Sequence, residues 1–468
     1  MRLGPVHKFP DEDGMAEERE PWTLTARWLF PVSGPPLERG TITIEGDHIV
    51  AVEPQGRRHA DLDLGNAAIL PGLVNAHTHL DLSGMRGLAP PSPDFTAWLR
   101  QVIAYRRSRP PEQVQADIRA GLEECLRLGT TLVGDIASEG ASWDALAGAP
   151  LRAVVYRELL GLPPERAEQA LASAKTWLET HPATATCRSG LSPHAPYSVR
   201  HSLFARSAWL AWGHDAPLAV HLAESREELE LLRHRRGPLV SLLCERGVWS
   251  PGGLVSSPTQ VMRLCKAAGT RLFIHGNYLS PGTRFARAAS LIYCPRTHAA
   301  FGHPPHPWRE FLKRGVRVAL GTDSLASNPD LDLLAEARFL HQRHPDVPGE
   351  VLLRMATLSG AEALGWADQT GSLEPGKSAD LVVVPLPDED RADPHALVLG
   401  SAQPVRSVLW RGQWVSPPSP LPLSPEAGAR GTIASLTSPP KRGRGEQSLP
   451  PSPPLGGEGW GEGGGVVP

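Results

Sequence analysis

The sequence is poor in cysteine. Its five cysteines, Cys125, Cys187, Cys244, Cys265 and Cys294, are scattered, odd in number and include no Cys-x-x-Cys pair. That pattern excludes a disulfide framework and a thiolate zinc site, and it predicts reduced thiols in a cytoplasmic protein. No apolar run reaches the roughly 18 residues that span a bilayer. The opening MRLGPVHKFPDEDGMAEERE also lacks the apolar core of a secretory signal. Net charge is small, -3 at pH 7, so nothing electrostatic points to nucleic acid or an anionic membrane as partner. The 13 tryptophans are dispersed and form no stacking ladder for single-stranded nucleic acid. Missing as well are GxGxxG and GxxxxGK[ST] loops in a position to cradle phosphates.

Glycine and proline are plentiful instead, 46 and 48 residues. Many lie in 416–468, which reads SPPSPLPLSPEAG through GGEGWGEGGGVVP. Such a segment buries too little apolar surface to offset its chain entropy, and disorder is expected there and over 1–21. Met15 is a candidate initiator, since ordered patterning begins only after it. Between these ends, Thr23–Phe30 and Gly40–Val52 read as strands, with a Gly46-Asp47 turn. Similar strands recur at Asp380–Pro385, Val405–Trp410 and Gln413–Val415. Strands flanking a long middle region can pair only if the chain ends meet. A composite β-sandwich from 22–69 and 371–415 is therefore expected, around a central domain of 70–370.

That central region alternates strands with helices. Strand candidates are Leu73–Ala76, Thr131–Asp135, Arg152–Arg157, Cys187–Leu191, Leu218–His221, Arg271–His275, Ser290–Cys294 and Arg317–Leu320. One intervening helix shows an apolar stripe of Ile118, Leu122, Cys125 and Leu126, stopped by Gly129. Eight strands alternating with helices over roughly 300 residues fit an α/β (β/α)8 TIM barrel. The doubly wound sheet is the rival, and it usually has fewer strands and an early glycine fingerprint.

In a parallel barrel, reactive groups sit at the C-terminal ends of the strands. Those positions hold His77 and His79, His221, His275 and Asp323, with Glu224 close behind His221. His77 and His79 are two apart, so both imidazoles face the same way along a strand. Neutral imidazoles with a carboxylate suit zinc or ferrous iron, with a position left for water. Metal binding lowers the pKa of that water to roughly 7. A heteroaromatic amine is a poor leaving group, and Glu224 or Asp323 can supply the proton shuttle it needs. Each residue also has an ordinary structural reading. His221 could be a hydrogen-bonded core residue, Asp323 a helix cap, and Glu224 part of a solvated first helical turn.

The segments PGLVNAHTHLDLSGMRG (71–87), SPHAPYS (192–198), HLAESREE (221–228), HGNYL (275–279), YCPRTHAAFG (293–302) and GTDSLASNPDLDLLAEAR (321–338) resemble amidohydrolases. They look most like the subgroup of S-adenosylhomocysteine, aminodeoxyfutalosine and guanine deaminases and triazine chlorohydrolases. ATLSGAEALG (356–365) and GSLEPGKSADLVVV (371–384) are similar to that subgroup's closing signature. The resemblance implies that His77, His79, His221 and Asp323 ligate one divalent metal, zinc first and iron second. It places His275 beside the metal's water and His194 against the substrate. It makes Glu224 the donor to a ring nitrogen, and Asp323 the group that takes the water's proton and helps release ammonia. Binuclear members carry a carboxylated lysine on strand three or four, and neither strand here contains lysine.

The chain departs from that pattern after strand seven, where Tyr293-Cys294-Pro295-Arg296-Thr297-His298 replaces a His-Cys-Pro segment, and His303 and His306 follow. An ordinary polar surface loop is one reading. The sharper one has Arg296 and His298 binding an anionic group on the substrate. Asp94–Arg107 reads as an amphipathic helix, better explained by packing than by closure over the site. The stretch Cys244–Ala268 is an insertion that shapes either the pocket or a subunit contact. The function this supports is metal-dependent deamination of an amino-purine-type heterocycle or nucleoside, such as aminodeoxyfutalosine, S-adenosylhomocysteine or methylthioadenosine. Hydrolytic dechlorination and cyclic amide hydrolysis would use the same site. Cytidine-deaminase-like chemistry needs H-x-E and P-C-x-x-C motifs, which are absent. A binding scaffold without catalysis would be expected to lack a ligand or shuttle, and none is lacking. The expected partner is a small heterocycle, with no nucleic acid and no membrane, and a homodimer is the assembly to test.

Overall fold

The computed structural model describes residues 20–389 and 393–416. The segments expected to be loose, 1–21 and 416–468, lie almost wholly outside them. Eight parallel strands form the centre, Leu73–Thr78, Thr130–Ala137, Arg152–Leu159, Cys187–Pro193, Leu218–Leu222, Arg271–His275, Ala289–Tyr293 and Arg317–Leu320, neighbours in space in that order. The ring closes between the first and eighth strands by a parallel bridge of Thr78 and Asp323. There the Thr322 and Asp323 amides both donate to the His77 carbonyl, at 3.1 Å each. Gly321 permits that approach, since a Cβ there would stand 2.9 Å from the His77 carbonyl oxygen.

Barrel strands are covered on both faces, and their sequences are accordingly near-continuous apolar runs. Val74, Ala76, Leu132, Ile136, Val154 and Tyr156 point inward to one cluster. The alternate residues Leu73, Val133, Ala153 and Val155 pack outward under the helices. The floor is the helix Leu358–Leu364 and Trp366, which join the inner cluster. With the N-terminal end plugged, only the opposite mouth can admit a ligand.

Two further sheets flank the barrel. One has four strands, His48–Glu53, Thr41–Glu45, Trp22–Thr25 and Leu62–Asp63, all from the N-terminal part. The other has six and joins both ends of the chain, with Ala67–Pro71 antiparallel to Leu381–Pro385. Alternation along these strands again serves two faces. Ile69, Leu381 and Val383 meet Leu24, Ile42 and Ile44 between the sheets. Ala68, Leu70, Val382 and Val384 pack against the barrel's helical layer. A buried ion pair pins the junction, Arg152 at the start of the third barrel strand with Asp380. The Arg152 guanidinium also lies 4.7 Å from the Trp410 ring centre. Replacing Arg152 by alanine strands a fully buried carboxylate, and the expected loss is roughly 3–5 kcal/mol in urea unfolding. A loss under about 1 kcal/mol, the range of an exposed pair, would contradict this account. Among the described residues, no helix is long and apolar enough to cross a membrane.

Candidate metal and active site

Five donor side chains converge at the open mouth. His77 lies on the first strand and His79 just past it, His221 on the fifth, His275 at the end of the sixth, and Asp323 beyond the eighth. All five are buried. The Nε2 atoms of His79 and His221 are 3.2 Å apart, and Asp323 Oδ1 lies 3.4 Å from His77 Nε2 and 3.8 Å from His79 Nε2. Two nitrogens each ~2.0–2.1 Å from one tetrahedral ion stand about 3.3 Å apart, so these spacings suit a shared ion. Donor atoms of His77, His221 and His275, and of His77, His79 and Asp323, form groups within 4.8 Å. The family resemblance set His275 beside the metal's water rather than among the ligands, whereas the structure groups its donor atom with those of His77 and His221.

Hydrogen bonding makes the same point. Both ring nitrogens of His77, and Nε2 of His275, are buried without a hydrogen-bond partner. Buried polar atoms are rarely left so, and a cation would take up one lone pair from each of these imidazoles. Burial and the neighbouring imidazoles hold His79 and His221 well below the ordinary histidine range, and burial pushes His275 down to about 3. Burial works against ionised Asp323, but His77, His275 and His79 more than offset it and hold the carboxyl below its ordinary value. Neutral imidazoles beside an ionised carboxylate are the protonation states a divalent metal requires.

The backbone around these residues is strained. Ala223, His275 and Asp323 have φ of +51°, +67° and +58°, a region that non-glycine residues seldom enter. Each carbonyl is clamped by a donor: Ala223 by the Tyr278 amide at 3.0 Å, His275 by His306 Nε2 at 2.8 Å, Asp323 by Thr78 Oγ1 at 3.0 Å. Glu228 takes the Ala223 and Glu224 amides, at 2.8 and 3.3 Å, which aims Glu224 into the site. Asp135, on the second strand, takes the Leu80 amide at 2.8 Å and fixes the turn behind His79. His306 stacks on Tyr293 with ring centres 4.0 Å apart, so His306→Phe keeps the stack and loses only the donor. Urea unfolding should show a loss of about 1–3 kcal/mol for the unsatisfied carbonyl, with much of it recovered in His306→Gln. Equal stability in the two variants would count against the clamp.

A cavity of about 400 Å³ opens over the donors, within the usual range for small-molecule sites. His79, His194, His221, Glu224 and His275 line it, and its walls are otherwise largely apolar. The helix Phe95–Ser108 supplies one wall through Phe95, Trp98, Val102 and Ile103. Its apolar stripe therefore faces the cavity, against the expectation of a mere packing helix. Arg246 and Val248 from the insertion line the cavity too, in keeping with the pocket-shaping reading of that stretch.

Arg296 and His298 do not reach this cavity. The Arg296 guanidinium is fully engaged, with Nε donating to Glu336 Oε1 at 2.7 Å and Nη2 to Asp330 Oδ1 at 2.6 Å. His298 is buried, its Nε2 donating to the Pro304 carbonyl at 2.9 Å. The anion-binding expectation for this loop is therefore corrected: the loop is held by its own ion pairs. Sequence reading also missed Asp81, Arg106 and Glu158, a network beside the cavity in which the half-buried Arg106 joins two buried carboxylates by contacts of 3.1 and 3.0 Å. Only Glu158's place at the end of the third strand could have flagged it.

The chain matches the model of the amidohydrolase family over residues 68–415. It is similar to a 5-methylthioadenosine/S-adenosylhomocysteine deaminase of Moorella thermoacetica, 32% identical over 390 residues, 79% of this chain and 85% of that protein. It is likewise similar to an aminodeoxyfutalosine deaminase of Deinococcus radiodurans, 33% identical over 362 residues, 73% of this chain and 85% of that protein. Among solved structures, an adenosine deaminase from Xanthomonas campestris with bound zinc superposes with a TM-score of 0.70 at 26% identity, over 84% of this chain and 92% of that one.

Proposed function

The chain belongs to the amidohydrolase family, and from that premise we propose that it removes the exocyclic amine of an amino-purine nucleoside by hydrolysis. The observation that carries this is Glu224, buried in the cavity 3.5 Å from His275 Nε2. Burial first, then Asp323 and Glu228, push its carboxyl well above the ordinary range. A protonated carboxyl beside the donor cluster can protonate a ring nitrogen, which makes the adjacent amine-bearing carbon electrophilic. His77, His79, His221 and Asp323 are our ligand assignment and zinc the ion, on the donor chemistry and on the zinc in the Xanthomonas structure. When bound, the ion supplies a water activated as nucleophile near neutral pH. His275, beside Glu224, orients that water. Asp323 takes its proton and returns it to the departing amine, while Ser327 Oγ, 2.7 Å from Oδ2, steadies the carboxylate. His194 contacts the substrate from the fourth strand. The free thiols, four of five buried, support a cytoplasmic setting.

The test is ammonia release by metal-loaded protein from methylthioadenosine, S-adenosylhomocysteine, aminodeoxyfutalosine, guanine and cytosine. An adenine nucleoside should be turned over. No ammonia from any of them, with one metal bound per chain, would defeat the deaminase reading, and chloride release from a chlorotriazine would then replace it.

A further inference from the structure

Glu158 ends the third barrel strand inside the cavity, and the deamination scheme leaves it without a task. Its side chain is only 5% exposed. One oxygen, Oε2, accepts from Arg106 Nη1 at 3.0 Å. The other, Oε1, makes no hydrogen bond and faces His194 Nε2 across 3.8 Å. An ionised carboxylate only accepts hydrogen bonds, and a buried acceptor left empty is costly. Burial raises this carboxyl, but Arg106 and His194 more than offset that and hold it below its ordinary value. It is therefore an acceptor, and it cannot double as the proton donor.

On the proposed reading, on which this inference rests, the substrate's exocyclic amine sits at the histidine cluster. The donors then left on a nucleoside are its sugar hydroxyls. Glu158 lies near the end of the third strand and Glu224 just past the end of the fifth, two strands away around the barrel, and both line the same cavity. With the amine-bearing ring at Glu224, the rest of the nucleoside extends along that cavity, where the unpaired Glu158 Oε1 is the acceptor open to it. We infer that Glu158 is the residue that selects a ribonucleoside, its Oε1 accepting from the 2′- or 3′-hydroxyl with His194 alongside. Arg106, still paired with Asp81 at 3.1 Å, holds the carboxylate in place.

The experiment compares metal-loaded wild type and Glu158→Gln on 5′-methylthioadenosine and its 2′,3′-dideoxy counterpart. Wild type should favour the ribonucleoside by roughly 10- to 100-fold in kcat/KM, the worth of a hydrogen bond to a charged acceptor. In Glu158→Gln that preference should shrink toward unity, mainly through a higher KM for the ribonucleoside. Wild type that ignores the hydroxyls overturns the inference without any variant. A Glu158→Gln protein that loses rate on both substrates with its preference intact overturns it too, since Glu158 would then only be a partner for Arg106. Ammonia from neither substrate, nor from any other nucleoside, defeats the deaminase reading and this assignment together.

Discussion

His221→Ala is expected to leave less than one equivalent of metal per chain after dialysis and to lower kcat/KM by roughly 10³-fold or more. His221 is almost fully buried, and its Nε2 lies 3.2 Å from that of His79. Burial and the surrounding imidazoles keep it neutral, so its lone pair is available. Alanine removes the nitrogen that groups His221 with His77 and His275 and leaves the other donors incomplete. The side chain borders the cavity, so the circular dichroism spectrum should not change. Elemental analysis alongside turnover decides the matter. A variant with full metal and full activity would remove the whole ligand assignment.

Glu224→Gln should separate chemistry from metal binding. Its backbone is held by Glu228 and by Asn277 Nδ2, which donates to the Glu224 carbonyl at 2.9 Å. A glutamine should therefore occupy the same place. It cannot give up a proton as a carboxylic acid does, and kcat should fall by roughly 10²- to 10⁴-fold, the usual worth of a placed general acid. Metal content should stay at one per chain, and KM should move far less than kcat. A wild-type kcat would mean that the ring nitrogen receives its proton elsewhere. Loss of metal along with kcat would recast Glu224 as support for the ion.

The barrel and its donor set were legible because two regularities coincide in the chain. Strand cores such as Ala153–Tyr156 are continuous apolar runs, and chemistry collects at the C-terminal ends of the strands. His77, His221, His275 and Asp323 could thus be selected by position. What escaped depends on partners distant in sequence or on the direction of a face. Arg296 looked free because Asp330 and Glu336, 34 and 40 residues away, give no local sign that they enclose it. The stripe of Phe95, Trp98 and Val102 has the same spacing whether it meets a core or a cavity, and here it lines the cavity. Glu228 belongs to Glu-Ser-Arg-Glu-Glu, the composition of a solvated turn, yet it is wholly buried. It goes inward because the left-handed turn at Ala223 exposes amides that need an acceptor. Asp135 and Arg106 likewise acquire meaning only once separate loops are brought together.

The bridge of Thr78 and Asp323 also bears on how the molecule is put together. It joins positions 245 residues apart, so the ring cannot be completed until the eighth strand has been made and has found the first. Contacts of such long sequence separation form slowly, which makes this seam a late event in folding. The proposed ligands sit on both sides of it, His77 and His79 on one edge and Asp323 on the other. An ion held there would act as a rivet on the last joint to close. Metal should therefore stabilise the assembled barrel in proportion to its occupancy, and chelation should loosen it first along this joint. Amide exchange would read that as faster labelling of the first and eighth strands, ahead of the third and fourth.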